Sequence, residues 1–241
     1  NCGLTDPDDL ARLNYVANDL GVDTIELGGT IGVLMDAGKG QFGDVEFMQS
    51  VLDSLREGSE TGKLYAQGTA RVGAALGVAR VPVIKRQAIS AYDPRVIEVT
   101  GLTMMMTAQG ADHTAGNLPS YDSKDKTTEE LVAVSLDMLV MCAAVDSLGL
   151  CVFGRSVTNE HVDLIVQAIN DAHGLELEDS FFVELGRETL KLENQFNKAA
   201  GFSEADVELP EFFYSEQLPP SDRAARFHTA DVNSAARQWW N

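Results

Sequence analysis

Apolar residues in this chain recur mostly at helical spacing. Asp6-Pro7-Asp8-Asp9 supplies a cap, a proline and two acids, which together mark a helix start. Leu10, Leu13, Val16, Ala17 and Leu20 then share one face. A glycine turn at Gly28-Gly29 is expected before a helix over 30–37, and further helices over 47–55 and 64–76. Pro82 makes 81–85 extended or loop. Tyr92-Asp93-Pro94-Arg95 is a turn leading into a helix over 96–107. Thr127-Thr128-Glu129-Glu130 is a second capped start, and the chain from there to Val145 is apolar nearly all round, as for a central buried helix. Helices over 158–172 and 179–198 follow, with Asn159-Glu160-His161 in the first turn of the former and Gly174 and Gly201 as stops. The Pro-rich tail after Leu209 is expected to wrap the surface. Strand patterns are few. The fold class is all-α, with a boundary near 85–91.

One short pattern occurs twice: Asn18-Asp19-Leu20-Gly21-Val22-Asp23 and Asp146-Ser147-Leu148-Gly149-Leu150-Cys151. In each, Gly sits where a helix stops, in the left-handed conformation that only Gly adopts cheaply. The residue two places on is thrown clear of the helix, a carboxylate in one copy and a thiol in the other. Two matched helix ends, one bearing sulfur, point to a cradle for a roughly symmetric cofactor with a metal nearby. A second candidate is the polar stretch 110–126, punctuated by Gly and Pro, with His113 inside it. Long loops in compact domains are often functional.

Composition narrows the partners. A net charge of −19 on 241 residues argues against nucleic acid or an anionic membrane. A hydrophobic content of 44% supports a real core. Cys2, Cys142 and Cys151 cannot build a disulfide framework and fit a reducing, cytoplasmic compartment. No long uninterrupted apolar run marks a membrane span, and no signal peptide is visible. The first residue is not Met, so the chain is expected to begin inside a longer gene product. Met104-Met105-Met106 point in different directions on a helix and are read as packing, as is Cys142 within its apolar helix. Cys2 has no metal-ligand spacing, and His161, His173 and His228 are given structural roles.

Taken in order, these segments resemble the C-terminal part of the aldehyde ferredoxin oxidoreductase family, the tungsten or molybdenum bis-pterin enzymes. Asn1-Cys2-Gly3 is similar to the family's opening stretch, 18–23 to its D-x-x-G-L-D motif, and 146–151 meets its D-x-x-G-L-C motif in full. Ser90-Ala91-Tyr92-Asp93-Pro94-Arg95, Gln109-Gly110-Ala111-Asp112-His113 and Glu193-Asn194-Gln195-Phe196-Asn197 each resemble a further family segment.

The resemblance implies two helical subdomains, 1–88 and 89–241, that clasp a cofactor against a separate N-terminal β-rich domain. It implies that Asn18, Val22 and Asp23 hold one pterin and that Asp146 and Leu150 hold the other. Gln109 would contact the cofactor, and His113 would act near the metal as hydrogen-bond donor or proton relay. Cys151 would be the fourth thiolate of a four-iron, four-sulfur cluster whose other three cysteines lie outside this chain. The implied reaction is oxidation of an aldehyde to a carboxylic acid with ferredoxin as electron acceptor, and the resemblance allows a homo-oligomer. Alternatives are a reductase of an aromatic acyl-thioester or other oxo substrate in the same family, and a helical binding module without cofactor.

The chain departs from the family at Asn18 for Asp, at Gln109 for a frequent Arg, and at Ala115 for a Lys. The last two changes remove cationic contacts. A dimer-bridging iron site is not expected, because no His precedes His113. By their spacing Asp23 and Asp146 both border helix C-termini, a poor place for a carboxylate. Such groups need N–H or cationic partners, and a pterin edge offers amide and amino donors.

Overall fold

The computed structural model describes residues 1–240, which divide into two compact units. The first comprises Asn1–Asp93 and Glu208–Ala224, the second Pro94–Val207 and the C-terminal remainder.

In the first unit, α1 (Pro7–Leu20) starts where the Asp6 side chain accepts the Asp8 N–H, and it stops at Gly21 with φ 70°. Leu13 and Ala17 are buried, but Leu10 stays half in solvent. The next helix corrects an expectation. Residues 28–29 form no turn, because α2 runs Thr24–Asp36 straight through them. Gly29 is required by packing: a Cβ there would fall 2.7 Å from Ala88 Cβ and 3.0 Å from Thr69 Oγ1. After α3 (Val45–Glu57), the expected helix over 64–76 is two helices, α4 (Glu60–Tyr65) and α5 (Thr69–Leu76). They break at Gly68, whose φ of 86° no helix admits.

The extended stretch is a two-residue hairpin, β1 (Val83–Ile84) antiparallel to β2 (Gln87–Ala88). Glu26 ties these pieces together. Its Oε1 accepts the Thr69 N–H and its Oε2 the Ala88 N–H, both at 2.7 Å. The core around them holds Leu34, Met48, Leu52 and Val72.

The second unit is built on α7 (Thr128–Ser147), with α6 (Glu98–Met106), α10 (Ser180–Ala199) and α13 (Thr229–Trp240) packed against it. The predicted capping box is present: Thr127 Oγ1 accepts the Glu130 N–H, and the Glu130 carboxylate accepts the Thr127 N–H. α7 buries residues on all sides, Leu131, Leu136, Leu139 and Ala144 among them. Met104, Met105 and Met106 are buried, as the packing reading requires.

The helix expected over 158–172 is α8 (Arg155–Thr158) followed by α9 (Val162–His173), with Asn159 and Glu160 in the turn between and His161 at the N-cap of α9. The tail is a second correction. It does not wrap the surface, since Leu209, Phe213, Phe227, Val232 and Ala236 are buried. α11 (Glu204–Val207) belongs to the second unit, and within the first unit the tail adds α12 (Phe212–Ser215), where Arg80 stacks on Phe212 and pairs with Glu216 at 3.0 Å. Among the described residues no single helix is long and apolar enough to cross a membrane.

Candidate functional site

The two copies of the repeated pattern close their helices with the same hydrogen bonds. Gly21 N–H donates to Asn18 C=O and Val22 N–H to Ala17 C=O; Gly149 N–H donates to Asp146 C=O and Leu150 N–H to Val145 C=O. Both glycines lie near φ +70°. Val22 and Leu150 turn inward, each onto the core of its own unit.

Asp23 is not stranded at a helix C-terminus. Its carboxylate accepts the Glu26 N–H at 2.7 Å and caps the start of α2, the positive end of a helix dipole. This corrects the electrostatic expectation for the first copy. In the second copy Asp146 does lie in the last turn of α7, and Cys151 occupies the position equivalent to Asp23. The Cys151 thiol is exposed and makes no capping bond, and Phe153 beside it is 93% exposed.

The second unit contains a cavity of about 240 Å³, into which Thr107, Gln109, Ala115, Asp146, Thr189 and Glu193 face. It brings together two predicted cofactor contacts, Gln109 and Asp146, and the third family departure, Ala115. Its mouth adjoins a more open recess of about 470 Å³, which shares Gln109 and Glu193 and adds Leu192, Phe196 and Asn197. No lysine or arginine lines either space among the described residues. Burial, reinforced by the charge of Asp112, holds the Asp146 carboxyl above its usual range. Burial, reinforced by Asp146, does the same for Glu193. Cys142 is buried on α7, and burial together with Asp146 pushes its thiol up to about 11, so it is an inert packing group.

His113 begins a short 3-10 turn, His113–Ala115, that ends on the cavity wall at Ala115. Asp112 caps this turn through the Thr114 N–H at 2.8 Å. Below it, Thr103 Oγ1 donates to the Gly116 carbonyl at 2.6 Å and Thr100 Oγ1 to Asn117 Oδ1 at 2.9 Å, which pins the turn to α6. His113 itself is outside the residues lining the cavity.

The first unit has its own cavity of about 390 Å³, lined by Leu13, Ala17, Ile25, Gly28, Ile31 and Met48 among others. Asn18, Val22 and Asp23 lie outside this lining. On α2, Gly28 and Gly32 are one turn apart and a Cβ on either would meet open space, so the helix presents bare backbone there.

These features bear on whether a bis-pterin and a cluster fit the residues present. Asp146 and Glu193 face a cavity with no cation in its lining, so their oxygens would be satisfied by a flat ring edge rich in N–H donors. An exposed, uncapped thiol suits an inter-domain cluster ligand, although no group of three or more His, Cys, Asp or Glu is placed to hold a metal among the described residues. The donor set is compatible with a pterin ring edge, and Cys151 offers one exposed thiolate where a cluster would need four. Sequence reading did not assign a role to Glu193. Its signal was available, since Gly186, Leu190 and Glu193 fall on one stripe of α10 whose other members are buried.

The cavity acids make a pH prediction. Asp146 and Glu193 bind protons more tightly in the folded chain than when unfolded, so their contribution is most favourable below the unfolded carboxylate range of about 4. It is lost as pH rises through their raised folded values. Melting temperature is expected to fall over that window, and Asp146→Asn and Glu193→Gln should each flatten the fall. Unchanged pH profiles in both variants would contradict this account of the cavity.

The family model for aldehyde ferredoxin oxidoreductase, domains 2 and 3, matches residues 1–241. Tungsten-containing aldehyde ferredoxin oxidoreductases from Pyrococcus furiosus and Thermococcus kodakarensis are 25% identical over 244 residues, and that from Pyrococcus horikoshii is 25% identical over 246. Each alignment covers 91% of this chain, which spans about 40% of the relatives' length.

Proposed function

This chain belongs to the aldehyde ferredoxin oxidoreductase family, and on that premise we propose that it is the C-terminal, cofactor-clasping part of a tungsten-pterin oxidoreductase that oxidises aldehydes. Aldehyde and water would give carboxylic acid, two protons and two electrons, with ferredoxin as the acceptor. The observation that carries this reading is the convergence on one cavity of Gln109 and Ala115 from one connection, Asp146 from α7 and Glu193 from α10.

When bound, the metal–pterin group supplies the two-electron chemistry and the iron–sulfur cluster passes electrons on singly. The chain's residues bind, orient and shield. Asp146 accepts N–H donors of one pterin edge, and Gln109 offers an amide that both donates and accepts. Asp23 keeps further lone pairs for a second pterin after capping α2, and Asn18 stands exposed one turn before it. Val22 and Leu150 turn their side chains into the core, so they contact the cofactor through main-chain carbonyls. Cys151 presents its sulfur to the cluster. His113, on a turn held from both ends, orients the substrate carbonyl or moves a proton at its imidazole.

The test uses the full-length protein. As purified it should contain tungsten, pterin and iron, and reduce ferredoxin when given an aldehyde. Cys151→Ala should abolish the paramagnetic signal of the reduced four-iron cluster. Asp146→Ala should lower pterin content and activity by about 10- to 100-fold. A wild-type protein without pterin or tungsten, or a Cys151→Ala variant with an intact cluster signal, would sink the reading.

A further inference from the structure

We propose that Asn197 is a positioning residue that sets Gln109 against Glu193 at the mouth of the second unit's cavity, and so fixes where the polar edge of the bound heterocycle lies. The proposal rests on the pterin reading above and assigns the outer wall of that site. Asn197 lies on α10, one turn beyond Glu193. Its Nδ2 donates to the Ala108 carbonyl at 2.8 Å, across 89 residues of sequence. The residue after Ala108 is Gln109, and the turn continues into Gly110 at φ 93°. Apart from that bond, the Thr107–Gly110 link is held at its start by the Thr107 N–H on the Thr103 carbonyl at 2.8 Å and near Gln109 by a long 3.4 Å contact from the Gln109 N–H to Thr107 Oγ1.

The placement has a chemical consequence. Gln109 and Glu193 are the two residues common to the inner cavity and the outer recess, so they form the gate between them. Glu193 takes only donors when ionised, whereas the Gln109 amide takes both a donor and an acceptor. A heterocycle edge with adjacent N–H and C=O groups satisfies this pair, while a plain cation leaves the N–H donors of the Gln109 amide unmet. Asn197 makes no claim on the ligand itself. It acts through Gln109, by ordering the backbone from which that amide projects.

The experiment is a double-mutant cycle in the full-length protein as purified with its cofactor. Cofactor retention is read as tungsten content by mass spectrometry and as pterin fluorescence after oxidative release, both followed over time in a chelating buffer. Asn197→Ala and Gln109→Ala should each speed cofactor loss about 3- to 10-fold, the range for one hydrogen bond. The double variant should be no worse than Gln109→Ala alone. Asn170→Ala is the control, because Asn170 makes the same kind of staple, Nδ2 to the Leu177 carbonyl at 2.9 Å, away from the cavity lining. It should lower stability without changing retention. Asn197→Asp, which keeps the shape and loses the donor, should behave like Asn197→Ala, and Asn197→Gln should recover part of the loss.

Retention in Asn197→Ala equal to that in Asn170→Ala, or effects of Asn197→Ala and Gln109→Ala that multiply, would overturn the proposal while leaving the pterin site intact. Unchanged retention in both Gln109→Ala and Asp146→Ala would overturn the pterin site, and this proposal with it.

Discussion

Gly186→Ala is expected to destabilise the second unit by about 3 kcal/mol, the upper end for overpacking of a close-packed interior. A Cβ at position 186 would lie 2.0 Å from the Val140 carbonyl oxygen and 2.9 Å from its carbon. These are main-chain atoms of α7, which cannot rotate away as a side chain does, so α10 must lift or tilt. The carbonyl also serves the helical ladder of α7, and lifting the helices apart loses burial of Phe182 and Leu190 on the same stripe. For a chain of this size the shift in melting temperature would be about 6–12 °C.

Gly32→Ala is the matching control. It too is helical, but a Cβ there meets open space, so the change should be neutral or gain up to about 1 kcal/mol from helix propensity. The effect at 186 reaches the site, because Glu193 and Asn197 ride on the same helix, two to three turns further on. Lifting α10 widens the gap between Glu193 and Asp146, so Gly186→Ala should lower cofactor content beyond what its loss of stability explains. Equal melting temperatures for Gly186→Ala and wild type would show that α10 does not seat on α7 at this point.

Caps are local, so Asp6, the Thr127–Glu130 box and the stop at Gly174 were legible from spacing alone. α7 was legible because a helix apolar on every side has nowhere to go but the interior. Glycines in α2 were misread because their local meaning, a turn, was overridden by tertiary packing of Gly29 on Ala88 and Thr69. The break at Gly68 has a tertiary cause as well: the residues around it have ordinary helical propensity, and a long-range bond from the Thr69 N–H to Glu26 starts α5 apart from α4.

The site divides the same way. The repeated pattern correctly marks left-handed glycine stops at Gly21 and Gly149. The same paired bonds recur at Gly58, Gly77 and Gly201, so a glycine stop signals that a helix ends and carries no cofactor information by itself. What distinguishes the two copies is the residue placed next. The role of Asp23 as an N-cap could have been read from the helix that starts immediately after it. The face of α10 that carries Glu193 is legible from its stripe, but convergence of Glu193 with Gln109 and Asp146 is not, because it depends on the register of α10 against α7, which Gly186 and Val140 set together.

Arg226→Ala should cost the second unit about 2–4 kcal/mol, because it strands a buried carboxylate. Glu98, in the first turn of α6, is only 4% exposed, and Arg226 grips it with both arms of the guanidinium, Nε to Oε1 at 2.7 Å and Nη2 to Oε2 at 3.0 Å. The same contact holds the arginine above its ordinary pKa. The Arg226 side chain is 42% exposed, so its own charge is well solvated and the penalty falls on the Glu98 side. That asymmetry sets the expected order of variants. Arg226→Lys should recover only part of the loss, since an ammonium cannot engage both oxygens in the plane. Glu98→Gln combined with Arg226→Leu should be milder than Arg226→Ala alone, because no unpaired charge is left buried. Urea denaturation of the four proteins measures the series. If Arg226→Ala were no worse than the double variant, the pair would be a surface contact in energetic terms, and the C-terminal segment would owe its place to Phe227 and Val232 rather than to this ion pair.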